Sequence, residues 1–540
     1  MEAKTGVFLC DCGRSLKNID FARLRRRAAT LPGVAYTELR SDLCLKGGLE
    51  AMVSALQREG IERAVIAACS PQAKGQVFSK ALQQAGLDSN LISWANLREQ
   101  CSWAHDGDVT PKALSLMEMA ARKARLLSPL KKAEIPVNQR ALIIGGGFSG
   151  MKAALELSQL GIKATLVERE SGLGGRLKEI ESIYGLEPSQ REMVSSLAKR
   201  TLADGNIEVL TGAQVIGVEG AAGDFKAEIK RNGERLRRNF GAIVLASGYQ
   251  AEALPDAEKS GNIIPLAEFS RLLDQEPCPA SVAFVVDVSN EHARLPALSA
   301  LSNALVAKER LGSEVYVFLK NLKVDTQGAE KLYREAREKG VVFLKFEGKP
   351  QVSSNDGGVR ITAKDVLLGD EVTLDCDLLV MEEKALPSAE LASTLRVGTD
   401  PQGFYQEVNP HLLPVSSSRK GVVFAGNCRS DLDFARAAME AADAALQVYD
   451  LLSRGRVAVE VDRVKVDPDK CRVCLTCVRV CPHGAIGLEH LRPDKESARI
   501  YDLACDACGV CVAICPAKAI NYEGYSDEQI LAEIEEVGAS

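Results

Sequence analysis

The sequence predicts an α/β chain in which parallel-sheet units follow one another and a small cysteine-rich module closes the C-terminal end. Three observations carry this reading. Residues 142–168 run strand, glycine-rich turn, helix, strand and acidic residue. Residues 6–86 alternate short apolar runs with amphipathic ones, the pattern of strands and helices exchanged in turn. Residues 471–516 hold two copies of one cysteine spacing, C-x2-C-x2-C-x3-C-P.

At 540 residues the chain is long enough for three or four domains with cores of their own. Its hydrophobic share of 46% and charged share of 26% are those of an ordinary globular protein. A net charge of −6, with no basic patch interleaved with aromatics, argues against nucleic acid. No apolar run approaches the roughly 18 residues of a spanning helix, and residues 1–20 lack the apolar core of a signal peptide. A cytoplasmic chain is expected, meeting a membrane only through a partner. Sixteen cysteines in that setting point to metal ligands or redox chemistry.

Residues 1–135 form an N-terminal α/β domain. Strands are expected at 6–10 and 63–68, and helices at 48–60 and 76–86. Its five cysteines are Cys10, Cys12, Cys44, Cys69 and Cys101. Cys10 and Cys69 end strands and Cys44 precedes a helix. The carboxyl ends of strands form the ligand crevice of an open α/β sheet, so these thiols could converge. Two readings stand: a further Fe–S site or redox thiol group, and small hydrophobic packing, which buried free cysteine suits. Trp103 and His105 are expected as packing residues.

Residues 136–280 and 390–455 read as a dinucleotide-binding domain. The strand at 142–144 runs into Gly145-Gly146-Gly147-Phe148-Ser149-Gly150, then a helix at 151–160 and a strand at 163–167 ending at Glu168 and Arg169. Gly145 permits the tight turn, Gly147 admits the pyrophosphate, and Gly150 lets helix and strand pack closely. The diphosphate then rests on the helix N-terminus, and Glu168 is placed to accept from ribose hydroxyls. Three later pieces favour FAD over NAD. Gly174-Gly175-Arg176 is a second glycine pair near the pyrophosphate. A strand at 242–248 ends in Ala246-Ser247-Gly248. A strand at 421–426 ends in Gly426-Asn427, where a carboxamide stands in place of an aspartate toward the ribityl chain.

Residues 281–389 have the shape of a second, inserted nucleotide-domain-like unit: strand at 283–286, helix at 298–311, strand at 314–319. The turn Asp287-Val288-Ser289-Asn290 has no glycine, so a phosphate could not approach its backbone, and no NAD(P) site is expected. Cys278, Cys376 and Cys428 stand alone, which excludes a CxxC dithiol centre in this core. They are expected as core residues, with Cys428 nearest the flavin.

Residues 456–540 form a ferredoxin domain with a C-terminal helix. In two-cluster modules the fourth cysteine of each motif ligates the other cluster. Cys471, Cys474, Cys477 and Cys515 are therefore assigned to one [4Fe–4S] cluster, and Cys505, Cys508, Cys511 and Cys481 to the second. Zinc also accepts CxxC pairs, but four thiolates at this spacing followed by proline, twice over, make the cluster pattern. The helix expected at 526–537 has an apolar stripe that could pack on its own domain or on a partner.

Taken together, the chain resembles the A-subunit family of heterodisulfide reductase, including the flavoprotein subunits of quinone-interacting membrane-bound oxidoreductases. The segments that carry the resemblance are Cys10-Asp11-Cys12-Gly13, Ala68-Cys69-Ser70-Pro71, the stretch from Ala95 to Trp103, the glycine fingerprint, Gly174-Gly175, Leu332 to Arg337, and the ferredoxin pair. The resemblance implies a thioredoxin-reductase-like, two-dinucleotide-domain core that binds FAD and relays electrons inside a larger Fe–S complex. Implied partners are other redox subunits: heterodisulfide reductase B/C-like, hydrogenase- or quinone-linked, or CoA-thioester-active. Fuller family members carry a second ferredoxin module within the core, whereas residues 227–243 here run straight through. They also bind a further cluster where residues 287–302 here have no cysteine. A lysine of bifurcating members aligns with Ser302, so bifurcation is not expected, and Arg429-Ser430-Asp431 replaces a glycine–proline-like segment beside the flavin.

The expected function is electron transfer between FAD and two [4Fe–4S] clusters, with a third cluster as an open reading of the N-terminal cysteines and no acid, base or nucleophile of the chain's own. Two rivals remain: a self-sufficient NAD(P)H-dependent ferredoxin-type oxidoreductase, which needs a nicotinamide site in 281–320, and a non-catalytic assembly scaffold.

Overall fold

The computed structural model describes residues 3–178, 190–251, 261–272, 278–286, 294–322, 324, 328–355, 357–383, 385–461 and 463–539. The turn at 287–290 lies outside them. The chain divides into two compact units. One comprises residues 1–134, 458–481 and 486–540; the other comprises 135–457 and 482–485.

The first unit opens with a four-stranded parallel sheet in the order Val34–Arg40, Thr5–Cys10, Arg63–Ala68, Ile92–Asn96. The inner strands are almost continuously apolar because helices cover both faces of a parallel sheet. One face packs Val7, Leu9, Val65 and Ala67 against Ala113, Met117 and Ala120 of the helix Thr110–Leu126. The opposite face packs Phe8, Ile66, Met52 and Phe78. All four elements expected in this region form, the helices as Lys46–Glu59 and Pro71–Gln84.

In the same unit the ferredoxin part consists of two antiparallel ribbons, Val464–Val466 with Ile520–Tyr522 and Ile486–Arg492 with Lys495–Ile500, and two single-turn helices. Its small core mixes Val464, Ile486, Ala498 and Ile520 with Cys477 and Cys511. The C-terminal helix Asp527–Ala539 does not lay its apolar stripe on a core, because Ile530, Leu531 and Ile534 stay exposed. It docks on the helix Thr110–Leu126 by polar contacts instead: Gln529 Nε2 donates to Leu126 O at 3.1 Å, and Lys123 lies 3.5 Å from Glu533 and 4.2 Å from the Tyr525 ring.

The second unit holds two seven-stranded sheets. The first runs Glu407–Asn409, Leu413–Ser417, Val422–Phe424, Ala242–Leu245, Arg140–Ile144, Lys163–Val167, Ile207–Leu210, and its five strands from Val422–Phe424 onward are parallel. The second, built mostly from the region expected as an inserted unit, runs Ile263–Pro265, Leu378–Met381, Ser281–Val285, Glu314–Leu319, Val342–Asn355, Gly358–Asp365, Glu371–Cys376. Its first strand lies earlier in the chain than residue 281. A third, three-stranded antiparallel sheet spans residues 213–240 and takes in most of 227–243, the stretch expected to run through without an insertion. The helix expected at 298–311 begins earlier, as Arg294–Val306, and finishes in a π turn at Ala307–Leu311.

Candidate functional site

The second unit contains a cavity of ≈ 1150 Å³ at the carboxyl ends of Arg140–Ile144 and Lys163–Val167. That is where an open α/β sheet receives a ligand. Every residue expected to hold FAD lines it except Gly150 and Gly426, which sit directly behind the lining. The helix Phe148–Gln159 points its N-terminus at the cavity, so free N–H groups and the helix dipole face where a diphosphate would lie.

Close packing explains the glycines. Gly145 has φ +113°, and a Cβ there would meet Ala246 O at 2.2 Å. This brings the small-residue end of Ala242–Leu245 against the turn. The second glycine pair is drawn onto the first, since Gly174 N donates to Gly146 O at 2.8 Å. Glu168 is buried, and its carboxylate accepts from Gly146 N at 2.6 Å and Glu170 N at 2.8 Å. The acid thus ties the loop down besides presenting an edge to the cavity. Arg169 is held by the Gln250 carboxamide, whose oxygen accepts from both terminal nitrogens at 3.0 and 2.6 Å in the orientation that satisfies both groups. Asn427 Nδ2 donates to Leu432 O at 3.0 Å, committing one amide proton to the loop beside the cavity.

Several lining residues escaped the sequence reading. Phe434 stacks on Phe148 with ring centroids 4.1 Å apart, at the start of the helix Phe434–Leu452. Asp433 caps that helix by accepting from Arg436 N at 2.9 Å; an aspartate before an alanine-rich run was a readable cap signal. Arg176 lies 3.6 Å from Glu383 of the inserted unit, and its guanidinium sits over the Tyr249 ring at 5.0 Å. Burial pushes the Tyr249 hydroxyl up to about 12. Glu383 and Tyr249 carry no sequence signal, because their role arises from two sheets meeting.

One expectation about the lone cysteines needs correction. Cys428 directly follows Asn427 of the cavity lining and is a core residue, as expected. It is wholly buried, with Sγ donating to Leu245 O at 3.1 Å, and burial pushes its thiol up to about 12. Cys278 is exposed and no core residue, whereas Cys376 is buried as expected. Ser302 is fully buried and outside the cavity lining.

In the ferredoxin part, a small pocket is lined by Cys471, Cys474, Cys477 and Cys515, the crossed set and not a single motif. The electrostatics follow the same grouping in order of strength: Cys477, raised by burial, feels Cys471, Cys474 and Cys515, and Cys511, pushed up to about 12 by burial, feels Cys505, Cys481 and Cys508 most and Cys477 of the other set least. Val473, Leu475 and Ala507 adopt φ between +50° and +63°, curling backbone amides inward. Ala507 N donates to Cys505 Sγ at 3.4 Å and Ala519 N to Cys515 Sγ at 3.3 Å. Burial raises Cys471, but the Ala498 and Val473 amides and the Ser497 hydroxyl outweigh it and hold the thiol below its usual range. Donors aimed at sulfur and thiols gathered by the fold suit iron–sulfur cubanes.

Four of the five N-terminal cysteines are linked electrostatically through Cys12 and Cys44. Cys10, raised by burial, feels Cys12 and Cys44, and Cys69, also raised by burial, feels Cys44 and Cys12. Cys101 is fully buried in the core that Cys12 also packs against, with Sγ toward Val109 O at 3.7 Å. Trp103, expected in packing, is 63% exposed and lies under the Arg98 guanidinium at 4.8 Å, and His105 is exposed too.

Residues 139–442 match the pyridine nucleotide-disulphide oxidoreductase family model, and residues 463–516 match the 4Fe-4S dicluster domain. The chain is 27% identical over 604 residues to one of the iron-sulfur A-subunits of the CoB–CoM heterodisulfide reductase of Methanopyrus kandleri, covering 90% of this chain and 91% of the relative. It is 27% identical over 602 residues to the A-subunit of the H(2):CoB-CoM heterodisulfide,ferredoxin reductase of Methanothermobacter thermautotrophicus, with the same coverage. Both alignments are longer than this chain, so both relatives carry segments absent here. Among solved structures, thioredoxin reductase of Lactococcus lactis is 19% identical with a TM-score of 0.44, covering 59% of this chain and all of that one.

Proposed function

Because the chain belongs to the pyridine nucleotide-disulphide oxidoreductase family and is homologous over 90% of its length to A-subunits of heterodisulfide reductase, we propose that it works as the electron-relay subunit of a larger redox assembly. It is an oxidoreductase that uses FAD and two [4Fe–4S] clusters. FAD exchanges electrons in pairs and the clusters exchange them singly, and the chain's own residues hold, shield and tune these groups. The observation that carries the reading is convergence. The fingerprint turn, the second glycine pair and the end of Val422–Phe424 meet at one cavity, and Cys471, Cys474, Cys477 and Cys515, drawn from both ferredoxin motifs, line one small pocket.

Glu168 and Arg169 would orient the adenosine end, Gly147, Gly174 and Gly175 the diphosphate, and Ala246 to Gly248 with Asn427 the ribityl side. Arg176, Tyr249 and Glu383 form the polar wall of the same cavity. We further assign Cys10, Cys12, Cys44 and Cys69, without Cys101, to a third iron–sulfur site, supported by Cys10 and Cys69 ending adjacent parallel strands and by Cys12 and Cys44 lying within electrostatic reach of both. Substrate chemistry is assigned to partner subunits resembling the heterodisulfide-, quinone- or CoA-thioester-active components of related assemblies. The buried position of Ser302 away from the cavity supports a flavin that does not bifurcate. Among the described residues no helix is long and apolar enough to cross a membrane, which supports membrane association through a partner alone.

Anaerobic reconstitution followed by flavin and iron counting tests this. One FAD with about eight irons supports the two-cluster relay, and about twelve adds the N-terminal site. Prompt flavin bleaching by micromolar NADH or NADPH alone would replace the relay with a self-sufficient oxidoreductase.

A further inference from the structure

The N-terminal thiols have a companion that their own motifs do not announce. Residues Arg98–Ser102 make a single π turn directly after the strand Ile92–Asn96, a local distortion that proteins place mostly at functional sites. The turn aims Arg98 back across the sheet edge, where Nη1 donates to Cys12 Sγ at 3.2 Å. The guanidinium is held from two other sides. Glu99 Oε1 accepts from its Nε and Nη2 at 3.0 and 2.7 Å, and the Trp103 ring lies 4.8 Å from its centre. Glu99 is itself anchored: Oε2 accepts from Ser70 N at 2.8 Å, and its amide donates to Asn96 Oδ1 at 2.9 Å. Ser70 adjoins Cys69, so this anchor connects the two ends of the thiol group. Cys12 has φ +54°, as do its successors Gly13 and Arg14 with φ +69° and +64°, a left-handed run that turns the Cys12 thiol to meet the guanidinium.

We propose that Arg98 is the charge-compensating residue of the N-terminal redox site, and that the Arg98–Glu99 pair sets the site's reduction potential. The proposal rests on the assignment of Cys10, Cys12, Cys44 and Cys69 as one iron–sulfur site. Four thiolates gather negative charge, and reduction adds one electron more. A cation bonded to a ligand sulfur stabilises the reduced form, while the neighbouring carboxylate opposes it. A guanidinium does not deprotonate in proteins, so Arg98 keeps its charge in both oxidation states of the site. Arg98 is a positioning residue: it touches a ligand atom and no substrate.

The test is an EPR-monitored potentiometric titration of the full chain, reconstituted with iron and sulfide, using dithionite as reductant. Arg98→Gln should lower the reduced-to-oxidised ratio of the N-terminal site at fixed ambient potential about tenfold, which is about 59 mV for a one-electron couple. Glu99→Gln should move it the opposite way. Arg98→Lys should stay near the wild type, and the two ferredoxin clusters should titrate unchanged throughout. Shifts of the same sign in Arg98→Gln and Glu99→Gln, or none, would overturn the assignment of Arg98 while leaving the site itself standing. The site falls separately, and the proposal with it, if the wild type holds only about eight irons and a Cys12→Ser, Cys44→Ser double variant loses none.

Discussion

Gly426 packs directly onto Ser149: a Cβ added to Gly426 would lie 2.0 Å from Ser149 Oγ and 2.7 Å from its Cβ. Two segments far apart in sequence, the fingerprint turn and the end of Val422–Phe424, close one wall of the flavin cavity through that contact. Gly426 also has φ +72°, a region L side chains rarely adopt. Gly426→Ala should therefore weaken the fold by roughly 1–3 kcal/mol and expel flavin. Denaturant titration and the visible flavin band of the purified variant check this; a variant that retains stoichiometric FAD refutes it.

Glu168 accepts two backbone amides besides facing the cavity. Glu168→Gln keeps the shape but loses charge-assisted bonds, each worth about 1.5–3 kcal/mol. FAD affinity should fall roughly tenfold to a hundredfold, read from flavin fluorescence quenching on reconstitution.

The crossed thiol sets make opposite predictions for two single changes. Cys481→Ser should disturb the cluster held by Cys505, Cys508 and Cys511 and spare the other. Cys515→Ser should disturb the cluster held by Cys471, Cys474 and Cys477. EPR of the two reduced variants should show complementary losses; loss of the cluster bound by the same motif in each case would mean uncrossed ligation.

Cys428 should be chemically silent in the folded chain. Its folded value of about 12, reached through burial, lies above that of an unfolded thiol. The neutral thiol's contribution to stability is thus complete below the unfolded value, near pH 9, and lost as pH rises through about 12. Peptide-resolved iodoacetamide labelling at pH 8 should leave Cys428 unmodified until denaturant is added.

Arg429 lies 3.4 Å from Glu407 and also bonds Glu440, all three side chains being largely buried. Arg429→Met would strand two carboxylates and should cost about 3–5 kcal/mol. A double variant Arg429→Met, Glu440→Leu should recover part of that loss in the same denaturation experiment.

Much of this protein was legible in its residues. Gly145 to Gly150, Glu168 and the two runs of four cysteines are local patterns, and each is dictated by what its ligand demands of a few consecutive residues. Strand and helix placement followed from side-chain periodicity, which is likewise local. Tertiary structure alone decided the rest. Cys10 and Cys69 end two adjacent parallel strands within electrostatic reach of Cys12 and Cys44, while Cys101 is buried in the core that Cys12 packs against. Arg98 reaches Cys12 only through a π turn that no periodicity announces. Tyr249 and Glu383 join Arg176 only because two sheets share a cavity. Spacing along a chain can specify a ligand set within one loop, but a contact between distant segments depends on how sheets stack, and that is settled by burial summed over the whole domain.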